Sequence, residues 1–231
     1  MAKRLDSDSE YRHERKFFTS DLSGHEMEHI LRHHPAMFFE VYPERWVNNC
    51  YLDSMELDSY ADNLAGVKDR VKARVRWYGA LFGPIRRSFL ELKIKKGLVG
   101  RKERFGLGDF ALDEGFCRTA MAEVLRRSEL PNRIRVDMLA LSPVLVNRYR
   151  RKYFESADRK FRVTLDQELC YYTVRPTRNT FAERRADDQE LVVELKYAPE
   201  DEEGAARISG WFPLMMSRNS KYATGVDRLY G

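Results

Sequence analysis

Cysteine is scarce: Cys50, Cys117 and Cys170 form an odd set with no C-x-x-C spacing. That excludes a disulfide framework and a zinc ribbon, and it points to buried thiols in a reducing compartment. Long apolar runs are missing as well. No stretch approaches the roughly 18 apolar residues of a membrane span. Met1 to Glu10 is polar and acidic, with no apolar core of a signal peptide. Excess charge is also modest. Lys+Arg 41 against Asp+Glu 36 leaves +5, which does not demand a nucleic-acid coat. No repeat, low-complexity tract or linker interrupts the 231 residues. These absences predict a cytoplasmic protein with a disordered tip, 1–10, and one domain over 11–231, without a membrane segment. A content of 43% hydrophobic and 33% charged residues is ordinary globular material.

What is present is a pattern. Asp69 to Gly79 alternates strictly, with Val71, Ala73, Val75 and Trp77 on one side and Arg70, Lys72, Arg74 and Arg76 on the other. Period-two alternation with β-branched and aromatic residues reads as a strand. A solvated outer face is the plain explanation for its polar side. Such faces usually mix signs, however, because adjacent like charges cost stability.

The device recurs along the chain. Arg12, Glu14 and Lys16 share a face. Phe89 to Lys95 sets Leu90, Leu92 and Ile94 against Glu91, Lys93 and Lys95, and turn residues Gly79 to Pro84 predict a hairpin of Val71–Trp77 with Arg87–Lys95. Gly97 to Gly100 turns into Arg101–Phe105, a further basic strand. Trp46–Leu52, Pro143–Tyr153, Lys160–Asp166 and Glu190–Tyr197 read as strands too. A helix capped by Ser20 or Asp21 is predicted to run to about His34, where His25, His29, His33 and His34 fit surface positions better than metal ligation. A short helix or turn is expected over Met55 to Gly66. Asp113 to Leu130 has helical spacing, with a second short piece to Ala140, and Pro199 to Gly204 reads as an acidic loop.

At least six strands thus carry an apolar face opposite a row of Lys and Arg with isolated Glu. Closing the sheet into a barrel turns the cations inward, removes the sheet edges and leaves apolar outer faces for the helices near 21–34 and 113–139 to cover. Such a lumen is affordable only if it holds a polyanion. The fold class predicted is therefore α+β, mainly β: a closed antiparallel barrel with a cationic lumen and flanking helices.

In order, the chain carries Arg12-x-Glu14-x-Lys16, Arg74-x-Arg76-Trp77-Tyr78-Gly79, Glu91-x-Lys93, Tyr149-x-Arg151, Arg162-x-Thr164-x-Asp166, Glu194-x-Lys196 and Ser220-Lys221-Tyr222. This set resembles the polyphosphate polymerase domain of the vacuolar transporter chaperone (VTC) complex, a branch of the CYTH-like triphosphate tunnel metalloenzymes. The resemblance covers about residues 11 to 222. It implies an eight-stranded antiparallel tunnel that transfers the γ-phosphoryl of ATP onto polyphosphate with Mn²⁺ or Mg²⁺. It also implies that Lys16, Arg74, Arg76, Lys93, Arg151, Arg162 and Lys221 act on the phosphates. Lys102, Tyr149, Ser220, Arg218 and Lys196 would contact substrate. Glu194 would bind the metal, with Glu14 and Glu91 as further candidates. Hydrolytic relatives open with Glu-x-Glu-x-Lys; Arg12 replaces the first Glu, which favours the polymerase branch. A triphosphatase of the same fold is the alternative. A non-enzymatic polyphosphate- or nucleic-acid-binding module is a third reading, weakened because the aromatics fall mostly opposite the cations.

Overall fold

The computed structural model describes residues 12–96, 99–187, 189–217 and 220–231. The expected tip, 1–10, part of the Gly97–Gly100 turn, and Arg218 lie outside the described residues. In chain order the elements are β1 (His13–Thr19), α1 (Gly24–Arg32), β2 (Phe39–Asp53), α2 (Asp58–Leu64), β3 (Arg70–Tyr78), β4 (Gly83–Ile85), β5 (Ser88–Lys96), β6 (Val99–Leu107) and β7 (Phe110–Leu112). They continue with α3 (Arg118–Arg127), α4 (Asn132–Leu139), β8 (Ser142–Glu155), β9 (Arg162–Thr173), β10 (Arg184–Asp187), β11 (Leu191–Tyr197), α5 (Glu202–Gly210) and α6 (Lys221–Tyr230).

The alternation seen in sequence becomes two faces of one curled antiparallel sheet, in the order β1-β11-β9-β8-β2-β3-β5-β6, with β10 beside β9. The expected hairpin is present: β3 pairs β5 with Arg74 opposite Glu91 and Lys72 opposite Lys93. The eight strands are those expected, but no ladder joins β1 to β6 among the described residues. Lys93 Nζ of β5, one strand in from the β6 edge, lies 3.3 Å from Glu14 Oε2 of β1. Lys16 of β1 and Lys93 of β5 are close enough to repel each other, and the ion pair of Lys93 with Glu14 offsets that repulsion.

The convex face is apolar and covered, as expected. Met27 and Leu31 of α1 and Ala205 and Ile208 of α5 pack on Phe17, Val163, Leu165, Val193 and Leu195. Met121, Val124 and Leu125 of α3 and Met138 of α4 cover Ala73, Val75, Trp77, Leu90 and Leu92. A third apolar cluster lies on the concave face, where Tyr222 and Val226 of α6 meet Tyr51, Leu145, Tyr171 and Val192.

Several local expectations are corrected. Helix α1 is capped by Ser23, not Ser20 or Asp21; Ser23 and Glu26 form a reciprocal capping box that satisfies two backbone donors. The helical piece after Asp113 starts only at Arg118. Pro199 to Gly204 is not a loop: Pro199 opens a 3₁₀ turn and its acidic residues are the first turn of α5, where they complement the helix dipole. His34 is buried, accepting from Ala36 N at 2.9 Å with its Nε2 3.3 Å from Ile208 O.

Helix α6 approaches the sheet closely at Gly225, where a Cβ would meet the Tyr171 ring at 2.7 Å and Leu145 Cδ2 at 3.1 Å. Gly225→Val is expected to cost about 1–3 kcal/mol through overpacking, read as a lower urea midpoint. An unchanged midpoint would show that α6 does not rest on the sheet as described.

Candidate functional site: a cationic concave face

Inward-facing positions follow from register. Lys16 pairs Glu194, Glu194 pairs Thr164, Arg151 pairs Asp166, and Arg76 pairs Asn49. Strand β6 adds Lys102 opposite Lys93 and Arg104 opposite Glu91. The N-terminus of α6 delivers Lys221 from the other side of the lumen. Its cap, Ser220, accepts from Ala223 N at 3.4 Å and receives Lys72 Nζ at 3.0 Å.

Two carboxylates organise these cations. Glu91 is 2% exposed. Arg74 reaches its Oε2 through Nε and Nη2 at 2.9 and 2.8 Å, and Arg104 reaches Oε1 through the same pair of atoms at 3.0 and 2.6 Å. Arg76 and Lys102 add contacts at 3.4 and 3.6 Å. Burial alone would raise the Glu91 carboxyl, but Arg74, Arg76, Lys102 and Arg104 together hold it far below the usual carboxylate range. With both oxygens in short hydrogen bonds, Glu91 is a hub for guanidinium groups and has no lone pairs left for a metal.

Asp166 is the second hub. Arg151 binds it bidentately at 2.5 and 2.6 Å, and Lys221 Nζ lies 2.5 Å from Oδ2. Burial opposes ionisation there too, and Arg151 and Lys221 overcome it. Arg76 donates to Asn49 Oδ1 at 2.8 Å and to the Tyr149 hydroxyl at 3.2 Å. The Tyr149 ring lies beneath Lys221 Nζ at 5.0 Å and Arg151 Cζ at 5.2 Å.

Glu194 and Glu14 differ from the hubs. Glu194 meets Lys16 at 3.5 Å, Lys221 at 3.6 Å, and Lys196 and Arg151 each at 3.5 Å. Glu14 meets Lys93, Lys16 and Lys196 at 3.3, 3.8 and 3.9 Å. These are long ionic contacts. Beside Glu194, Thr164 Oγ1 is buried without a hydrogen-bond partner among the described residues. Among the described residues no three His, Cys, Asp or Glu converge as a preformed metal cage. Two loosely held carboxylates with an orphan hydroxyl do suit a hard divalent ion that completes its shell with phosphate oxygens and water.

The structure thus brings Lys16, Arg74, Arg76, Lys93, Lys102, Tyr149, Arg151, Glu194, Lys196, Ser220 and Lys221 onto one lumen, with Glu14 and Glu91. Arg162 stands apart: it is exposed and bound to Glu155 at 3.0 Å. Sequence reasoning missed Arg104, Asp166 and Lys72 as site members. Each lies on a face already assigned to the lumen, so alternation alone would have included them.

This curled antiparallel sheet is a fold shared with several solved structures. An adenylate cyclase candidate from Bacillus halodurans superposes with a TM-score of 0.56 at 11% identity, over 96% of this chain and 98% of that one. An adenylyl cyclase candidate from Hippeastrum, described as having a dominant triphosphatase activity, gives 0.54 at 16%, over 94% and 96%. A Vibrio parahaemolyticus adenylate cyclase candidate gives 0.52 at 10%, over 94% and 98%. No curated protein matches by sequence. The chain belongs to the VTC domain family, whose model matches residues 11–230. No helix among the described residues is long and apolar enough to cross a membrane.

Two predictions follow from the charges. Glu91→Gln should cost about 3–5 kcal/mol, because it strands buried cations. The Glu91 carboxyl ionises below its unfolded value, so its stabilisation is complete above about pH 4.5 and is lost as pH falls further. Wild-type stability measured in urea should therefore drop below pH 4.5, and the Gln variant should lack that component. Burial and then neighbouring cations lower Lys72 to about 7 and Lys102 to about 8. A bound polyanion removes that repulsion and raises both, so binding near pH 8 should take up protons and weaken from pH 7 to 9. Calorimetry of tripolyphosphate in buffers of different ionisation heat reads the uptake; none would contradict the crowding.

Proposed function

We propose that residues 11–231 act as one metal-dependent polyphosphate polymerase domain, moving the γ-phosphoryl group of ATP onto polyphosphate in the tunnel. One observation carries this reading: among the described residues, Lys16, Lys72, Arg74, Arg76, Lys93, Lys102, Arg104, Arg151, Lys196 and Lys221 line the lumen with only four carboxylates beside them, Glu14, Glu91, Asp166 and Glu194. A surplus of that size in a partly desolvated lumen asks for a polyanion.

The residues divide the work. Glu91 fixes Arg74 and Arg104 through Nε and Nη2, directing each Nη1 to a phosphate oxygen. Asp166 fixes Arg151 through Nε and Nη2 and holds Lys221 by its Nζ. Planar forks held in advance suit bidentate phosphate recognition and need no rearrangement when charge develops. Lys16, Lys93, Lys102 and Lys196 add mobile charge around the lumen, and Tyr149 and Ser220 offer hydroxyls. Arg162 sits where a longer chain would leave the lumen, and Arg218 is assigned to substrate by its motif alone. In the transfer, an oxygen of the terminal acceptor phosphate bonds to the γ-phosphorus while the bond to the β–γ bridging oxygen breaks, and ADP departs with that electron pair. The acceptor oxygen is already anionic, so no general base is required; positioning and charge stabilisation carry the rate. Glu14 and Glu194, with Thr164, would hold manganese or magnesium, which supplies charge neutralisation on the phosphates.

The second reading is hydrolysis of nucleoside triphosphate or tripolyphosphate, favoured by the triphosphatase activity stated for the Hippeastrum structure. Against it, Arg12 stands where the hydrolase motif has a glutamate. The free thiols of Cys50, Cys117 and Cys170 suit the cytoplasm.

Purified protein with ATP and Mn²⁺ should yield a phosphate ladder on a sizing gel. Free phosphate alone would establish the triphosphatase, and neither product would leave a binding module. Arg74→Ala and Arg76→Ala should each lower turnover by at least two orders of magnitude with circular dichroism unchanged; full activity in either would remove the lumen from the reaction. Glu194→Gln should abolish metal-dependent turnover while metal-free polyphosphate binding holds or tightens, because the lumen loses a negative charge.

A further inference from the structure

The lumen's phosphate-binding residues continue outward into a group of aromatic rings that the phosphate chemistry does not use. Along β2 the inward positions run Tyr51, Asn49, Val47, Arg45 and Tyr42. Tyr51 stacks on Tyr222 of α6 at 5.0 Å, so Tyr42 lies at the opposite end, roughly 30 Å away along the strand. Arg45 is the register partner of Arg151, and Tyr42 that of Tyr153. Tyr78 is the next inward residue after Arg76 on β3. The aromatic group therefore begins one inward position, about 7 Å, beyond the cations that face the phosphates.

Its geometry is ordered. The Arg45 guanidinium lies between two rings, 4.4 Å from the centroid of Tyr78 and 4.7 Å from that of Tyr153. Its Nε donates to the Tyr153 hydroxyl at 2.8 Å. Tyr42 meets Tyr153 at right angles, 5.7 Å between centroids, and remains 58% exposed. An exposed ring is costly to leave in water yet is braced here against a second ring, Tyr153, which itself carries the Arg45 guanidinium. Phosphates alone have no use for such a surface. A flat heterocycle does, because stacking on aromatic and guanidinium planes is how bases are held without sequence readout.

We infer that Tyr42, with Arg45, Tyr78 and Tyr153 behind it, forms a nucleobase platform at the tunnel mouth. It selects nucleoside triphosphates over bare tripolyphosphate. The inference rests on the proposed phosphate-binding role of the lumen and deepens it by naming the part of the substrate that stays outside. Stacking uses the π-face common to every base, so the platform recognises a nucleoside without choosing strongly among bases. Arg45 sits between base and phosphates, where its charge meets the phosphate nearest the ribose.

The test compares two ligands that share the phosphates and differ in the base. Metal-free titration calorimetry with ATP and with tripolyphosphate avoids turnover. Tyr42→Ala should weaken ATP about tenfold and leave tripolyphosphate within twofold, while Tyr42→Phe, which keeps the ring, should match the wild type. The tripolyphosphate titration also reports that the variant is folded. Equal weakening of both ligands, or no weakening of ATP, would overturn the platform. Wild-type protein that binds neither ligand would overturn both the platform and the proposed function. A protein that makes no polyphosphate but shows the base-selective pattern would sink polymerisation alone and leave the platform standing.

Discussion

Repulsion among like charges is the constraint on which this structure turns. Strands β3, β5 and β6 alone bring Lys72, Arg74, Arg76, Lys93, Lys102 and Arg104 onto one concave surface. Two unit charges 4 Å apart cost about 4 kcal/mol at an effective dielectric of 20. Glu91 and Asp166 sit at two charge centres of this lumen and offset part of that cost, Glu91 among Arg74, Arg76, Lys102 and Arg104 and Asp166 between Arg151 and Lys221. Both carboxylates are buried because the sheet curls over them, and they are ionised because the cations leave them no alternative. The surplus that remains after this pairing is the charge on which the proposed polyanion binding rests.

The same two carboxylates decide what the cations can do. An arginine in water samples many rotamers and loses that freedom when it binds a phosphate. Bound through Nε and Nη2 to Glu91, Arg74 and Arg104 have already lost it during folding. The long contacts of Glu14 and Glu194 suit the different task proposed for them, because a ligand for a mobile ion must be able to exchange partners. Short and long carboxylate contacts thus separate scaffold from exchangeable site within one lumen.

Most of the sheet was legible because period-two alternation is a strong signal when one face is apolar and the other is almost all of one sign. Val71 to Trp77 could be placed on a strand, and its faces assigned, from sequence alone. The helices were less accessible. Ser23 was overlooked as a cap because Ser20 and Asp21 also satisfy the composition rule, and only Ser23 has Glu26 three residues on. Helix α5 was hidden by acidic residues that suit a loop and a helix N-terminus equally well. Helix α6 was readable in the spacing of Tyr222, Val226 and Leu229, but it follows a motif that drew attention to single residues. The hub role of Glu91 was not legible, because whether a carboxylate binds metal or guanidinium depends on distances across strands. Arg162 shows the limit of alternation: correct parity placed it on the inner face, and its position near the strand's start left it at the rim with Glu155.

The seam between the first and last strands of the sheet has a further implication. A barrel sealed by backbone hydrogen bonds admits a polymer only by threading from an end. Here no ladder joins β1 to β6 among the described residues, and Glu14 of β1 meets Lys93 of β5 through side chains alone, which can part without unravelling a strand. Along that side the described lumen is a furrow, so under the proposed function a long polyanion would not need to present a terminus to enter; its middle could be laid in sideways. A chain captured this way would be bound at any point along its length, and released there too.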